Sequence, residues 1–312
     1  MRLIAYLDDG PRMGVLDAAG LLVRHVPAFD GGLDLALAEG RYDAALAEAR
    51  SIGLGSEPDG TELATELALL PAIEFPGKVV CVGLNYRDHL AEQHLETPPR
   101  PTLFAKFGNA IVGDGEPIVR PEGTVALDLE VELGVVIGRR ARRVAAADAM
   151  GHVAGYVVVN DVSARDWQGN KAALAAGERG DGQWLRAKGS DTFLPVGATF
   201  ATADEVADPH DLVLRSWRVP GSGPDAGREL PMQAGTTGDM VWRIPELLEF
   251  ISKAITLEPG DLVATGTPSG VGVFREPPVF LRPGDRAICD VEGVGRVDNP
   301  VVDWSDVLED EG

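Results

Sequence analysis

Three acidic residues alternate with apolar residues in one short segment near the middle of the chain. Asp128, Glu130 and Glu132 are separated by single apolar residues, and an apolar run continues to Gly138. Successive side chains of a strand point to opposite faces, so this alternation predicts a strand with three carboxylates on one face and a core-packing apolar face. The fold must therefore accommodate like charges held side by side on a well-formed strand.

A second strand-like run adds a fourth acid, because Asp161 follows directly after residues 155–160. If these carboxylates are buried, their repulsion requires a counter-charge, raised pKa values or a bound cation. Hard divalent cations prefer carboxylate oxygens, so a metal site is one interpretation. A solvated acidic face on an edge strand is the alternative, and this pattern alone leaves both open.

Composition limits the possible partners and the number of domains. Acidic residues outnumber basic residues by 49 to 28, giving a formal net charge of -21, which argues against nucleic acid and anionic membranes as partners. The 312 residues suffice for a main domain with a small accessory one. Short strands and a helix at 42–50 predict a small N-terminal α+β domain at residues 1–70, before a main domain at residues 71–312.

The two cysteines and the first residues bear on location. Cys81 and Cys289 lie in apolar, strand-like contexts, so we expect buried free thiols rather than a disulfide. Acids interrupt the N-terminus within nine residues, so it does not have the apolar core of a signal peptide. These features predict a cytoplasmic protein.

A histidine and a glutamate follow a predicted buried strand at 78–86. His89 and Glu92 are three residues apart in a predicted helix, so they share a helix face and can form a hydrogen bond. A histidine oriented by a carboxylate can act as a general base. A surface helix contact without a catalytic role is the alternative.

Further polar groups follow the acidic strands. Arg165 and Gln168, just after Asp161, would suit a carboxylate or keto substrate beside a metal, and Lys188 precedes a glycine at which the chain can bend. The Gly/Thr/Ser-rich loop at 265–272 offers N–H groups and hydroxyls to an anionic ligand, although it does not have the Gly-Lys-Ser/Thr of a P-loop. The four arginines at 139–143 predict a solvated loop, and the Gly-rich stretch at 170–182 predicts a mobile one.

Taken together, these motifs resemble the fumarylacetoacetate hydrolase family from about Lys78 to Val302. The motifs that carry the resemblance are Val82-Gly83-Leu84-Asn85-Tyr86 with Asp88-His89, Glu130 to Gly138, Asn160 to Asp166, Lys188-Gly189 with residues 191–193, residues 260–270, and Pro283-Gly284-Asp285. Each motif is weak alone, but six in the family's order are a strong signal. The resemblance implies a mixed α/β fold with a central β-roll, normally assembled as a homodimer or larger oligomer.

The resemblance also implies roles for individual residues. It implies that Glu130, Glu132 and Asp161 hold a divalent metal, usually Mg²⁺, with Mn²⁺ or Ca²⁺ as alternatives. His89 and Glu92 would form a water-activating dyad on a lid helix, and Lys188 would meet the substrate's oxygens. Arg165, Gln168 and Thr267 match positions that line the substrate pocket.

One difference from the pattern points to a branch of the family. The members that cleave fumarylacetoacetate have a further aspartate ligand seven residues before the histidine, where this chain has Val82. The chain is therefore more similar to the smaller acylpyruvate hydrolase branch, which argues against fumarylacetoacetate itself as the substrate. The dyad favours hydrolysis of a C–C bond in a 2,4-dioxo acid. The alternative is an isomerase or decarboxylase of hydroxy-dienedioates or oxaloacetate that uses the same site.

Overall fold

Two packed β-sheets dominate the structure, a computed structural model that describes residues 1–53, 61–170, 173–174 and 182–308. The strands are β1 (Arg2–Leu7), β2 (Pro11–Leu16), β3 (Leu22–His25), β4 (Thr61–Leu63), β5 (Ala68–Leu69), β6 (Val79–Gly83), β7 (Thr102–Lys106), β8 (Ile111–Val112), β9 (Ile118–Arg120), β10 (Leu127–Asp128), β11 (Val131–Ile137), β12 (Val153–Asn160), β13 (Ser163–Ala164), β14 (Leu194–Pro195), β15 (Thr199–Thr202), β16 (Val213–Val219), β17 (Leu230–Thr236), β18 (Leu262–Ala264), β19 (Arg286–Val291) and β20 (Gly295–Asp303). The helices are α1 (Gly32–Ala38), α2 (Tyr42–Gly53), α3 (Arg87–Glu92), α4 (Ala146–Ala149), α5 (Arg165–Gln168), α6 (Trp184–Gly189), α7 (Ile244–Ser252) and α8 (Trp304–Leu308).

The longer sheet contains the strands that carry the acids. Over the described residues its order is β4-β3-β2-β1-β15-β12-β11-β18-β6-β7, with β5 pairing beside β1. Most pairs are antiparallel, whereas β18 and β6 are parallel, so the sheet is mixed. The central strand β11 is buried along its whole length. This position is incompatible with the solvated edge strand that the alternation left open.

The second sheet covers one face of the first. Its order is β17-β16-β19-β20-β9 within the described part of the chain, and β16 and β19 contact β11 while β19 and β20 contact β12. The apolar face predicted for the acidic strand therefore packs into a core between two sheets, which includes Leu133 and Val135. The mixed α/β fold predicted from the sequence is confirmed.

The N-terminal residues form strands where the sequence predicts them. β1 to β3 lie within or beside the short apolar runs at 3–7, 13–16 and 21–26 that predict strands, and α2 extends the helix expected at 42–50. β1 pairs with β15, so the strands of residues 1–70 join the longer sheet. The boundary between the two domains at residues 70 and 71 stays a prediction.

One sequence prediction about the acidic strand is wrong. The alternation predicts one continuous strand from Asp128 to Gly138, but the structure ends β10 at Asp128 and begins β11 at Val131. The interruption arises because the main-chain N–H groups at this point bond to side chains: Glu130 N donates to Asn160 Oδ1 at 3.0 Å, and Val131 N to Gln233 Oε1 at 3.0 Å. Asp128 therefore pairs with a different strand and does not lie in one row with Glu130 and Glu132.

The burial of side chains tests the predictions made for the two cysteines and for the arginine-rich loop at 139–143. Cys81 and Cys289 are buried free thiols, as predicted, and burial raises the pKa of each well above its ordinary value. In the arginine-rich loop, Arg139 pairs with Asp43 at 3.3 Å and Arg140 with Glu258 at 3.0 Å, all on exposed side chains.

No helix in the described part of the chain combines the length and the apolar character that a bilayer crossing requires. Most of the glycine-rich stretch at 170–182 lies outside the described residues.

Candidate active site

Three buried carboxylates meet where the two central strands start and end. Glu132 lies on β11, Glu130 immediately precedes it, and Asp161 immediately follows β12. The two strands are antiparallel with Val131 opposite Asn160, so the start of one lies beside the end of the other. One oxygen from each of the three carboxylates lies within 4.8 Å of the others. We call Glu130, Glu132 and Asp161 the acid triad.

Lys188 and Arg165 neutralise part of the triad. Lys188 Nζ lies 2.8 Å from both Glu130 Oε2 and Asp161 Oδ2, and Arg165 Nη2 lies 2.6 Å from Glu130 Oε1. Burial alone would raise the pKa of Glu130, but the two cations outweigh burial and hold that pKa well below its usual range. Attraction to the carboxylates likewise outweighs burial at Lys188, so the pKa of its ammonium is raised. Both groups are therefore charged at neutral pH.

Glu132 has a different environment from Glu130. Among the described residues it forms no ion pair, and its Oε2 accepts a hydrogen bond from Gly266 N at 2.8 Å. Burial, followed by repulsion from Asp161 and Glu130, raises the pKa of Glu132 well above its ordinary value. Glu132 is therefore the member of the triad that has no cation partner among the described residues.

The triad fits a divalent cation on the chemistry of its donors. All three side chains offer carboxylate oxygens, which hard cations prefer, and a cation would remove the repulsion that Glu132 experiences. Thiol and imidazole groups, which would favour a softer metal, are not members of the cluster. The donor set does not discriminate between Mg²⁺, Mn²⁺ and Ca²⁺.

A histidine–glutamate pair lies on α3 at the edge of the triad. His89 Nδ1 is 2.5 Å from Glu92 Oε1, and His89 is 6% exposed. The other carboxylate oxygen of Glu92 accepts a hydrogen bond from Gly270 N at 2.9 Å. The surface helix contact considered from the sequence is therefore wrong, because the histidine is buried and its partner is held on both oxygens.

The glycine-rich loop at 265–272 binds carboxylates of the protein itself. Its N–H groups, with that of Val273, donate to four acids. Gly266 N donates to Glu132, Ser269 N to Asp88 at 3.1 Å, Gly270 N to Glu92, and Gly272 N and Val273 N to Asp128 at 2.8 and 3.1 Å. The sequence predicted that these groups would serve an anionic ligand, whereas the described N–H groups serve four side-chain carboxylates.

Two glycines in this loop allow that close approach. Gly266 has φ +97°, and a Cβ there would lie 2.9 Å from Asn85 Cβ. A Cβ on Gly272 would lie 1.9 Å from Val279 O and 2.7 Å from Asp128 Oδ1. A larger residue at either position would displace a hydrogen bond to one of the site's acids.

Arg165 binds two carboxylates of the protein, whereas the sequence suggested a contact with the substrate. Its Nε donates to Asp128 Oδ2 at 2.9 Å, in addition to the contact with Glu130. Gln168 Oε1 accepts from Arg165 Nη1 at 3.2 Å, so the pair predicted at this spacing exists. Asp128, counted as a possible metal-facing acid, instead holds Arg165 and the glycine-rich loop.

A cavity of about 290 Å³ connects these groups. Of the residues predicted from the sequence, it is lined by His89, Glu130, Glu132, Asp161, Arg165, Gln168, Lys188 and Thr267. Glu92 lies behind His89, and Val82 also borders the cavity. The apolar part of the lining consists mainly of Leu95, Phe104, Trp184 and Phe274. The predicted site residues thus come together around one space, although their roles stay predictions.

Two buried polar residues beside the cavity were not among the site residues predicted from the sequence. Gln233 donates from Nε2 to Thr267 Oγ1 at 2.7 Å and accepts on Oε1 from Val131 N, so it ties the second sheet to the triad strand. Lys106, at the end of β7, is 1% exposed and lies 2.8 Å from Asp161 Oδ1. Burial lowers the pKa of Lys106, and Asp161 partly offsets this effect. The only sequence signal for Lys106 was a lone lysine ending an apolar strand.

Comparison with known proteins agrees with this description. A family model described as fumarylacetoacetate (FAA) hydrolase C-terminal matches residues 78–302. The chain is 41% identical over 307 residues to "Oxaloacetate tautomerase FAHD2A, mitochondrial" of Homo sapiens, covering 97% of this chain and 92% of the relative.

Solved structures extend the similarity to other reactions. The 2-hydroxyhepta-2,4-diene-1,7-dioate isomerase from Mycobacterium marinum is 34% identical with a TM-score of 0.71, covering 97% of this chain and 99% of that chain. The maleylpyruvate hydrolase from Sphingobium sp. SYK-6, in complex with manganese(II) ion and pyruvate, is 28% identical with a TM-score of 0.72 and the same coverage. One architecture therefore serves a tautomerase, an isomerase and a hydrolase among these relatives.

Proposed function

The chain belongs to the fumarylacetoacetate hydrolase family, and from this premise we propose that it is a divalent-metal-dependent enzyme that interconverts the enol and keto forms of oxaloacetate or of a closely related 2-oxo acid. The observation that carries this proposal is the position of the dyad. A buried histidine, held by a glutamate at 2.5 Å, borders the same cavity as the acid triad. A base beside a hard-cation site is the arrangement that proton transfer next to a carbonyl group requires.

The acid triad would hold the cation. Glu130, Glu132 and Asp161 supply three carboxylates, and a cation bound there would act as a Lewis acid for the carboxylate and 2-oxo oxygens of the substrate. Mg²⁺, Mn²⁺ and Ca²⁺ all accept an all-oxygen donor set, and of these we propose Mg²⁺ or Mn²⁺. The manganese(II) ion in the maleylpyruvate hydrolase structure supports this choice.

The dyad would move the proton. Glu92 Oε1 engages His89 Nδ1, which leaves Nε2 as the ring nitrogen that exchanges a proton with the substrate. In the enol-to-keto direction, protonated His89 delivers a proton from Nε2 to C3, and the proton of the enol hydroxyl returns to the same nitrogen. One proton is gained and one is lost, so the reaction requires no water or other reactant.

The remaining groups would orient the substrate and stabilise its charge. Lys188 borders the cavity as a fully charged ammonium, which suits the negative charge that develops on the 2-oxo oxygen. Gln168 offers an amide to the carboxylate end, whereas the Thr267 hydroxyl donates to Val131 O at 2.9 Å and accepts from Gln233 Nε2, so Thr267 contributes to the wall of the cavity. The apolar wall of Leu95, Phe104, Trp184 and Phe274 reduces the access of water to the reacting carbon.

The relatives add a tautomerase to the hydrolase, isomerase and decarboxylase considered from the sequence. From the sequence alone, the dyad favoured hydrolysis, because a histidine base oriented by a glutamate can take a proton from water. Similarity to an oxaloacetate tautomerase across 97% of the chain supports proton transfer without water as the first candidate. Hydrolysis of a C–C bond in a 2,4-dioxo acid is the second candidate, favoured by the similarity to a maleylpyruvate hydrolase.

The test is a spectrophotometric assay with oxaloacetate and acetylpyruvate as separate substrates. Loss of the enol absorbance of oxaloacetate is followed with Mn²⁺, with Mg²⁺ and with EDTA, and pyruvate is measured at the end of each reaction. A His89→Gln variant serves as the matched control, because glutamine keeps a polar side chain of similar reach but cannot act as a base at neutral pH.

Each outcome has a distinct meaning. Metal-dependent loss of enol absorbance without pyruvate, absent in His89→Gln, is the expected result. Pyruvate from acetylpyruvate, with oxaloacetate unaffected, would replace the tautomerase proposal by hydrolysis, and pyruvate from oxaloacetate would replace it by decarboxylation. Binding of Mn²⁺ without turnover of either substrate would refute both candidates. The homodimer, the domain boundary and the cytoplasmic location expected from the sequence remain proposals that this assay does not address.

A further inference from the structure

A buried lysine outside the cavity connects two groups of the proposed site. Lys106 Nζ donates hydrogen bonds to Val162 O at 3.0 Å, to Phe193 O at 2.7 Å and to the main-chain oxygen of Lys188. These carbonyls belong to three separate segments: the residue after Asp161, the last turn of α6, and the chain before β14. A single ammonium therefore ties these segments together in the interior.

The same ammonium also contacts the triad. Lys106 Nζ lies 2.8 Å from Asp161 Oδ1, while Lys188 Nζ lies 2.8 Å from Asp161 Oδ2. The two oxygens of Asp161 are thus held by two different lysines, and Lys106 also holds the main chain of the second lysine. Lys106 thus contacts both the Asp161 carboxylate and the main chain from which the Lys188 side chain projects.

Lys106 is separated from the place where a substrate would bind. It is 1% exposed, and it is absent from the described residues that line the cavity, which include Lys188 and Asp161. We propose that Lys106 is a positioning residue, which sets the geometry of Asp161 and Lys188 for the cation without touching the substrate. This inference rests on the metal site of the proposed function.

A simple charge effect and a positioning effect predict opposite results for cation binding. If Lys106 acts only as a positive charge near the triad, its removal should strengthen cation binding, because one repulsive charge is lost. If Lys106 orients Asp161, its removal should weaken cation binding, because groups that orient metal ligands typically contribute about 10–100-fold to affinity. The sign of the change therefore separates the two roles.

The experiment compares Lys106→Met with Lys78→Met. Methionine approximates the length of lysine without its charge. Lys78 is a suitable control because it precedes the neighbouring strand β6 and pairs with buried Asp261 at 2.7 Å, away from the triad. Mn²⁺ affinity of the metal-free proteins is measured by titration calorimetry, the symmetry of bound Mn²⁺ by electron paramagnetic resonance, and folding by circular dichroism.

We expect Lys106→Met to bind Mn²⁺ about 10–100-fold more weakly than the wild-type protein, with an altered resonance spectrum. Lys78→Met should bind Mn²⁺ with unchanged affinity. Unchanged or tighter binding by folded Lys106→Met would overturn the inference while leaving the proposed function intact. Absence of Mn²⁺ binding by the wild-type protein would instead refute the metal site and this inference with it.

A second variant, Lys106→Gln, tests the inference if Lys106→Met does not fold. Lys106→Gln retains an N–H donor for the carbonyls of Val162 and Phe193, so it replaces some of the lost main-chain bonds. It should also bind Mn²⁺ more weakly than the wild-type protein. If neither variant folds, Lys106 stabilises the interior as a whole, and its specific positioning role is rejected.

Discussion

Replacing Glu132 by glutamine should stabilise the metal-free protein while it removes cation binding. Glu132 is buried, forms no ion pair among the described residues, and is repelled by Asp161 and Glu130. Glutamine keeps the size of the side chain and its Oε1 can still accept the hydrogen bond from Gly266 N. The substitution therefore removes an ionisable group whose charged form is disfavoured by burial and by repulsion, creates no cavity and leaves Gly266 N with an acceptor.

The magnitude follows from the separation of the charges. Triad oxygens lie within 4.8 Å of one another, a distance at which two like charges repel by about 3 kcal/mol at an effective dielectric constant of about 20. Glu132 is repelled by two carboxylates, and attraction to Lys188 offsets part of that repulsion. We expect a net gain of about 2 kcal/mol in the free energy of unfolding, which corresponds to a rise of about 4 °C in Tm for a chain of this size.

The same substitution at Glu130 should have the opposite effect on stability. Glu130 pairs with both Lys188 and Arg165, so Glu130→Gln leaves two buried cations short of a partner. Removing one partner of a buried ion pair typically costs about 3–5 kcal/mol. Two isosteric substitutions at neighbouring positions on one triad should therefore change Tm in opposite directions, although both should prevent cation binding.

Thermal unfolding with and without Mn²⁺ tests this pair of variants. In the wild-type protein, a saturating cation should raise Tm, because it binds only the folded state, and EDTA should reverse the increase. Neither variant should respond to Mn²⁺. The reasoning is refuted if metal-free Glu132→Gln unfolds at a lower temperature than the wild-type protein, or if Mn²⁺ still raises its Tm by the wild-type amount.

Three further predictions concern the dyad, its support and pH. His89→Gln should lower kcat about 10²–10⁴-fold with unchanged Mn²⁺ affinity, and equal loss in both would contradict a proton-transfer role. Asp88→Asn should lower kcat about tenfold, because Asp88 accepts from Ser269 N and Oγ and thereby anchors α3; an unchanged kcat would refute that support. Mn²⁺ affinity should weaken as pH falls, because the raised pKa of Glu132 lets protons compete with the cation, and binding should release protons in calorimetry. An affinity independent of pH would exclude that competition.

The sequence alone identified most of the candidate site, because chemistry limits which residues can serve there. Alternating acids on an apolar strand, an acid ending a second strand, and a histidine three residues before a glutamate are local patterns with direct chemical meaning. The strands themselves were also predictable, since periodicity and turn residues act over a few positions. These local signals left the alternatives open for Glu130, Glu132, Asp161, His89 and Glu92, and the order of the six motifs then assigned them to one site; the structure brings these residues together.

Only the tertiary structure decided which partner each polar group has. The sequence could not predict that the glycine-rich loop serves the protein's own carboxylates, or that Asp128 holds Arg165 instead of facing the triad. It gave no indication that Lys106 would be buried against Asp161, 55 positions later in the chain. Hydrogen bonds and ion pairs between distant segments depend on which strands become neighbours. Burial of the whole core determines which strands become neighbours, and no short stretch of sequence encodes that arrangement.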